Sequence, residues 1–369
     1  MAPIKRSRSI QNRYKNYILL GLLFAIILSI FFIQKLKVQQ GNTTVTELSV
    51  KDSSERVEDK AGQYSRAVEL VNPDGYINTG DKPITIAEHI GKDVILVDFW
   101  TYSCINCQRT LPYLTAWHEK YGDKGLVIIG IHTPEFDFEK DYDNVKRAVE
   151  KFGIKYPVVQ DNNYQTWRAY QNRYWPHKYL IDIDGFIVYD HIGEGAYEET
   201  ERKIQELLEE RNTVLRMKEE ISKDIAQPEA EKPGAIGTPE IYFGYGFSRN
   251  QMGNAEGWQP GKTVAYMIPD KAQPNKFYLQ GEWLNNKDNM ELKSQGAILL
   301  AYFAKNVNLV AGAEEPVEIT VLLDGEEYRK LTVSDFDLYN IVSMNESNTH
   351  VLEIVASKPG LMAYTFTFG

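Results

Sequence analysis

The chain contains two cysteines, Cys104 and Cys107, spaced i and i+3 in Trp100-Thr101-Tyr102-Ser103-Cys104-Ile105-Asn106-Cys107. They follow an apolar, strand-like run, Val94-Ile95-Leu96-Val97, and open a helix-like stretch from Gln108 to Tyr121. A thiol at a helix start faces unpaired backbone N–H groups and the positive end of the helix dipole, which favour its thiolate. A second thiol one turn later can close a disulfide and expel a substrate thiol. The pattern predicts a dithiol redox site in which Cys104 attacks and Cys107 resolves. Two other uses of the pair compete with it. A structural zinc site takes four protein ligands, yet the chain has no further cysteine and its six histidines are scattered singly. A structural disulfide closing so short a loop contributes little entropic stabilisation.

The elements around the pair alternate between strand and helix. Val94–Phe99 and Leu126–Ile131 are continuous apolar runs, as expected of buried central strands. Helix signals lie at Gln108–Tyr121, Asp143–Phe152 and Tyr164–Tyr174, with a last helix from about Tyr197. Tyr179–Ile183 and Phe186–His191 read as strands joined by Asp184-Gly185, a hairpin signal. These patterns predict an α/β domain with a mixed sheet. After a Pro-rich stretch the texture changes to short strand-like runs: Val264–Ile268, Phe277–Leu279, Ala297–Ala304, Val317–Leu323, Tyr328–Val333, Val351–Ala356 and Met362–Phe368. Such spacing predicts a β-sandwich.

Charge and hydropathy address the compartment. Lys5, Arg6, Arg8, Arg13 and Lys15 precede an uncharged apolar run, Tyr17–Ile33, near the lower length limit for a membrane-spanning helix. The run ends without small residues at a cleavage site, so an uncleaved signal anchor is expected, with the N-terminus cytoplasmic and the body outside. The formal net charge is −10 although the first fifteen residues are basic. A body this acidic argues against nucleic acid as a partner. The expected organisation is a basic segment (1–16), a transmembrane anchor (17–34), a polar tether (35–66), a redox domain (67–225), a linker (226–239) and an all-β domain (240–369).

Strand, Trp-Thr-Tyr-Ser-Cys-Ile-Asn-Cys and helix together resemble a thioredoxin-fold site. The resemblance implies a cis-proline set against the dithiol, and Pro176 in Tyr174-Trp175-Pro176-His177 matches it. X-Pro bonds are the ones that can be cis, and proline brings no competing N–H donor. Asp98–Leu114, His132-Thr133-Pro134-Glu135-Phe136, Asp161–Pro176 and Gly193-Glu194-Gly195 resemble the extracytoplasmic part of DipZ-type proteins, relatives of TlpA/ResA-like membrane-anchored thioredoxins. Gly237–Tyr245 and Ala363–Gly369 match the ends of that family's second module, which is similar to carbohydrate-binding modules. The resemblance implies an α/β thioredoxin fold, its mixed central sheet flanked by helices, followed by a jelly-roll-like all-β sandwich. DipZ-type proteins typically begin with a multi-helix CcdA-like electron-transferring domain. This chain has a single expected span, which implies a separate CcdA-like membrane donor and modestly favours a reductant.

The resemblance also gives roles to neighbours of the dithiol. Thioredoxin-type placement lowers the first thiol to about 7 from an ordinary ~8.5. Glu135 follows the second apolar strand, where strand-end loops meet active sites in α/β sheets, and is a candidate acid/base for the resolving thiol. Trp100 and Trp175 are candidate site walls, with a core position as the alternative for both. Asp98 resembles the buried aspartate of thioredoxins that assists the inner cysteine. Trp258, Trp283, Tyr266, Tyr302 and Tyr339 in the second module are either sugar platforms or core aromatics. No cofactor beyond the Cys104–Cys107 disulfide and no metal is expected.

Three functions are thus in view. The first is an extracytoplasmic thiol–disulfide oxidoreductase acting on protein clients. The second is a peroxiredoxin-like thiol peroxidase, suggested by Thr101 three before Cys104 and by Arg173, although Val97 stands where peroxiredoxins place a proline. The third is an adapter whose second module binds cell-surface glycan.

Overall fold

The computed structural model describes residues 53–369, except 81 and 248. The anchor expected at 17–34 and most of the tether lie outside the described residues. Among the described residues no helix is long and apolar enough to cross a membrane. The helices are α1 (Ser53–Ala61), α2 (Ile105–Tyr121), α3 (Tyr142–Lys151), α4 (Gln165–Ala169) and α5 (Tyr197–Leu215). The first sheet is built from β1 (Ser65–Arg66), β2 (Gly75–Ile77), β3 (Val94–Trp100), β4 (Leu126–His132), β5 (Val158–Gln160), β6 (His177–Ile181) and β7 (Phe186–Ile192).

Its strand order is β1-β7-β6-β3-β4-β5-β2. β3, β4 and β5 run parallel, β6 is antiparallel to β3, and β7 pairs antiparallel with β6 as a hairpin. The fully apolar runs form the buried centre because helices or loops cover both faces. Side chains alternate across β3. Val94, Leu96 and Trp100 pack with Leu111, Leu114 and Trp117 of α2 and with Ile204 and Leu208 of α5. Ile95, Val97 and Phe99 pack on the opposite face with Trp167 and Tyr170. Asp98 shares the parity of Leu96 and Trp100, so it projects to the face that carries α2. The expected strands and helices are present with shifted ends. Tyr164–Tyr174 differs: only Gln165–Ala169 is helical, and left-handed backbone at Tyr164 and Gln171 bounds it. Gly185 turns the β6–β7 hairpin with φ 85°.

The C-terminal region is all-β: β8 (Ile241–Tyr242), β9 (Thr263–Tyr266), β10 (Phe277–Asn285), β11 (Met290–Leu292), β12 (Gly296–Gly312), β13 (Val317–Leu323), β14 (Glu326–Val333), β15 (Asp337–Ala356) and β16 (Met362–Phe368). Two of the expected short runs are parts of much longer strands. β12 has 17 residues and β15 has 20, and they pair along most of their length through register shifts near Asn306 and Asn308. Those irregularities let one strand bend and serve two parts of the sheet. β12 also pairs with β10 and β16, and β11 joins β10 to β16, so these four strands close a ring. Trp283, Tyr266 and Tyr302 lie inside this core, and Trp258 and Tyr339 pack against it. Three of the five aromatic residues weighed as sugar platforms are core residues, and the other two are partly buried against the core.

Candidate active site

Cys104 is the N-cap of α2 (φ −81°, ψ 115°), and its Sγ accepts the Cys107 N–H at 3.3 Å. One of the orphan donors of the helix start therefore points at the sulfur. Cys104 is half-buried, whereas Cys107 is 1 % exposed and packed in the core with Trp100 and Leu111. Both sulfurs are free thiols. Burial, the Cys104 sulfur and the nearby Asp98 carboxylate hold the Cys107 thiol well above its ordinary range. The inner thiol therefore needs a base before it can attack.

A candidate for that base lies in the sheet. Asp98 on β3 pairs directly with Lys178 on β6, and both are buried. Burial raises the Asp98 carboxyl to about 7, with Lys178 opposing the rise. Lys178, fully buried, is pushed down by burial while Asp98, Cys107 and Glu194 hold it up. Its Nζ donates to the Gly193 carbonyl at 3.1 Å. A carboxyl near neutrality beside a buried thiol has the proton affinity that general base work at ordinary pH requires. Asp98 Oδ1 has no protein partner, and Tyr156 Oη, another buried orphan, feels both Asp98 and Cys107.

The turn before the nucleophile is held from several sides. Gln108 Nε2 donates to the Tyr102 carbonyl at 2.7 Å, and Ser103 Oγ donates to Glu139 Oε1 at 2.6 Å. Tyr102 stacks on His132 at 5.7 Å, and burial pushes that imidazole down to about 3, so it stays neutral. The Trp175–Pro176 bond is cis. Pro176 immediately precedes β6, whose His177 pairs with Phe99, so the proline lies at the end of β3 from which the redox turn departs.

Several expected roles change. Trp100 is 0 % exposed and belongs to the core beneath the dithiol, edge-on to His132, so it is no surface wall. Trp175 is half-buried; its Nε1 donates to the Thr133 carbonyl and its ring lies 4.2 Å from that of Trp167. Glu135 is engaged elsewhere: its Oε1 accepts from Tyr242 Oη of the β-domain at 2.7 Å. Thr101 is buried with its Oγ1 3.4 Å from His132 Nε2, and Arg173 is exposed. Sequence reasoning missed Lys178 and Glu139. A lysine directly before the apolar run Tyr179-Leu180-Ile181, two residues after Pro176, is the available signal for Lys178.

Comparisons with known proteins agree with this geometry. The AhpC/TSA family matches residues 57–190, and the thioredoxin like C-terminal domain family matches residues 238–369. Protein DipZ of Mycobacterium tuberculosis (strain CDC 1551 / Oshkosh) is 38 % identical over 305 residues, covering 82 % of this chain and 43 % of DipZ. The chain thus spans less than half the length of the DipZ relatives it matches. The thiol-disulfide oxidoreductase ResA of Bacillus anthracis is 32 % identical over 126 residues, covering 34 % of this chain and 69 % of ResA. An α/β redox sheet bearing Cys104–Cys107 at a helix start, with a C-terminal β-domain similar to that of DipZ, places the chain in the family of ResA-related thioredoxin-fold thiol–disulfide oxidoreductases.

Proposed function

We propose that the protein is a membrane-anchored, extracytoplasmic oxidoreductase that reduces disulfides in protein clients. The observation that carries the reading is the asymmetry of the pair: a half-buried Cys104 at a helix N-cap and a buried Cys107 beside Asp98. The Cys104 thiolate attacks one sulfur of a client disulfide. The S–S bond breaks, the leaving sulfur departs as a thiolate and takes up a proton, and a mixed disulfide forms. Cys107, losing its proton to Asp98, then attacks Cys104 Sγ and releases the second client thiolate, which is protonated in turn. The product is a Cys104–Cys107 disulfide, which a separate membrane donor of the CcdA-like class re-reduces. Pro176 serves as the edge against which the client disulfide lies.

The apolar run Tyr17–Ile33 and the basic residues before it support the anchor and the outside placement of the body. The test of the activity is insulin disulfide reduction against peroxide turnover by the same preparation. Rapid insulin reduction with negligible peroxide consumption is expected, and the reverse would favour the peroxidase reading. Glycan binding by the β-domain is the remaining reading, and the burial of Trp283, Tyr266 and Tyr302 weighs against it.

A further inference from the structure

Of the two residues immediately before the nucleophile, one touches the β-domain directly and the other is tied to it through Glu139. Tyr102 Oη donates to the Phe336 carbonyl at 3.1 Å. Ser103 gives both its hydroxyl (2.6 Å) and its N–H (3.3 Å) to Glu139 Oε1. The other oxygen of the same carboxylate accepts the N–H groups of Glu135 (2.6 Å) and Phe136 (2.9 Å). Both of those side chains are set into the β-domain. Phe136 packs with Phe247 and Tyr364, and Glu135 Oε1 meets Tyr242 Oη at 2.7 Å. Tyr242 Oη is also 2.9 Å from Glu240 Oε2.

These last three oxygens need one proton more than two ionised carboxylates supply. Tyr242 has a single hydroxyl hydrogen and can donate it to only one of them. The second short O–O contact is a hydrogen bond only when one carboxyl keeps its proton and donates it to the phenol oxygen. Burial raises both Glu135 and Glu240, and repulsion from Glu240 adds to the rise of Glu135, consistent with a retained proton. The other charges facing this group are Glu139 on the Glu135 side and Arg249, whose guanidinium lies 4.7 Å from the Tyr242 ring centre.

We propose that the β-domain positions the redox turn. Tyr242, held by one proton shared with Glu135 and Glu240, is a positioning residue for Cys104, acting through the Glu135 loop, Glu139 and Ser103. Losing that proton leaves two carboxylates against one hydroxyl and loosens the strut behind the nucleophile. The inference rests on Cys104 being the attacking thiol.

The test is the rate of iodoacetamide alkylation of the reduced full chain in detergent, at pH 6 and pH 9, with the label mapped by mass spectrometry. Rates are expressed as variant over wild type, which cancels the ionisation of the thiol itself. Tyr242→Phe should change the Cys104 rate at least threefold at pH 6. In Glu240→Gln the amide N–H replaces the shared proton, so the ratio should be near one at pH 6 and differ at least threefold at pH 9. Ratios within 1.5-fold at both pH values for both variants would overturn the proposal. Should Tyr242→Phe fail to fold, the isosteric Glu240→Gln alone decides. Label falling mainly on Cys107 would contradict the nucleophile assignment, an outcome distinct from flat ratios on Cys104.

Discussion

Asp98 and Lys178 face each other across β3 and β6, both buried, on the sheet face that also carries Cys107. Burying two opposite charges is a weak source of stability, because desolvation offsets much of their Coulomb gain. Its value here is chemical. Lysine moderates the rise of the Asp98 carboxyl, leaving it at about 7 rather than higher. The carboxyl is then ionised often enough to accept a proton, yet basic enough to take one from a thiol.

The first prediction concerns resolution of the mixed disulfide. In single-turnover stopped-flow experiments its rate should rise through about pH 7 as Asp98 ionises. Asp98→Asn should remove that inflection and slow the step about 100-fold, the lower range for loss of a general base. Lys178→Met should keep an inflection and move it upward, because the ionised aspartate loses its cation. An unchanged profile in Asp98→Asn would show that Cys107 is deprotonated by another group.

The same carboxyl has a signature in stability. Its folded pKa lies above the ordinary carboxylate value, so the native state holds a proton that the unfolded chain releases between about pH 4 and pH 7. Its contribution is fully present below about pH 4 and is lost as pH rises through 7. The unfolding free energy of Asp98→Asn relative to wild type should therefore climb across this window and level off above it. Urea titrations at several pH values measure the slope, and a flat difference would contradict the burial of an ionisable Asp98.

Glu139 should be essential to the turn. Glu139→Ala leaves the hydroxyl and N–H of Ser103 and the N–H groups of Glu135 and Phe136 without their acceptor. Each buried donor left unsatisfied costs about 1–3 kcal/mol unless water replaces the carboxylate. A large fall in Tm is expected, and a loss under about 1 kcal/mol would mean that water satisfies them.

The β-domain and the redox domain share an aromatic cluster of Phe136, Phe138, Tyr242, Phe247, Phe336 and Tyr364. Phe136→Ala should cost about 3–5 kcal/mol, as truncating a buried phenylalanine does. Calorimetry should show the thermal transition of the wild type splitting into two. A single transition retained at the wild-type temperature would argue against a rigid interface.

Much of this was legible where the signal is local. The run Val94–Val97, the Cys-x-x-Cys spacing at a helix start and the Asp184-Gly185 hairpin each depend on residues close in sequence, and they are where expected. β1, β2 and β5 were not recognised, because strands of two or three residues carry too little periodicity and exist by pairing with remote partners. β12 and β15 were read as short because their register shifts interrupt the alternation that marks a strand. Glu135 was correctly placed after a strand end, but its partner Tyr242 lies 107 residues away, and nothing local announces that contact. The Asp98–Lys178 register is likewise a property of the assembled sheet.

The central claim is that Cys104 attacks and Cys107 resolves, and mixed-disulfide trapping tests it most directly. Cys107→Ser and Cys104→Ser variants are expressed in cells, thiols are quenched with acid, and non-reducing gels are probed for covalent adducts. Cys107→Ser should accumulate long-lived adducts with client proteins, because the release step is gone. Cys104→Ser should trap almost nothing, because the remaining thiol is 1 % exposed and held protonated by its surroundings. Equal trapping by both variants, or by neither, would contradict the mechanism.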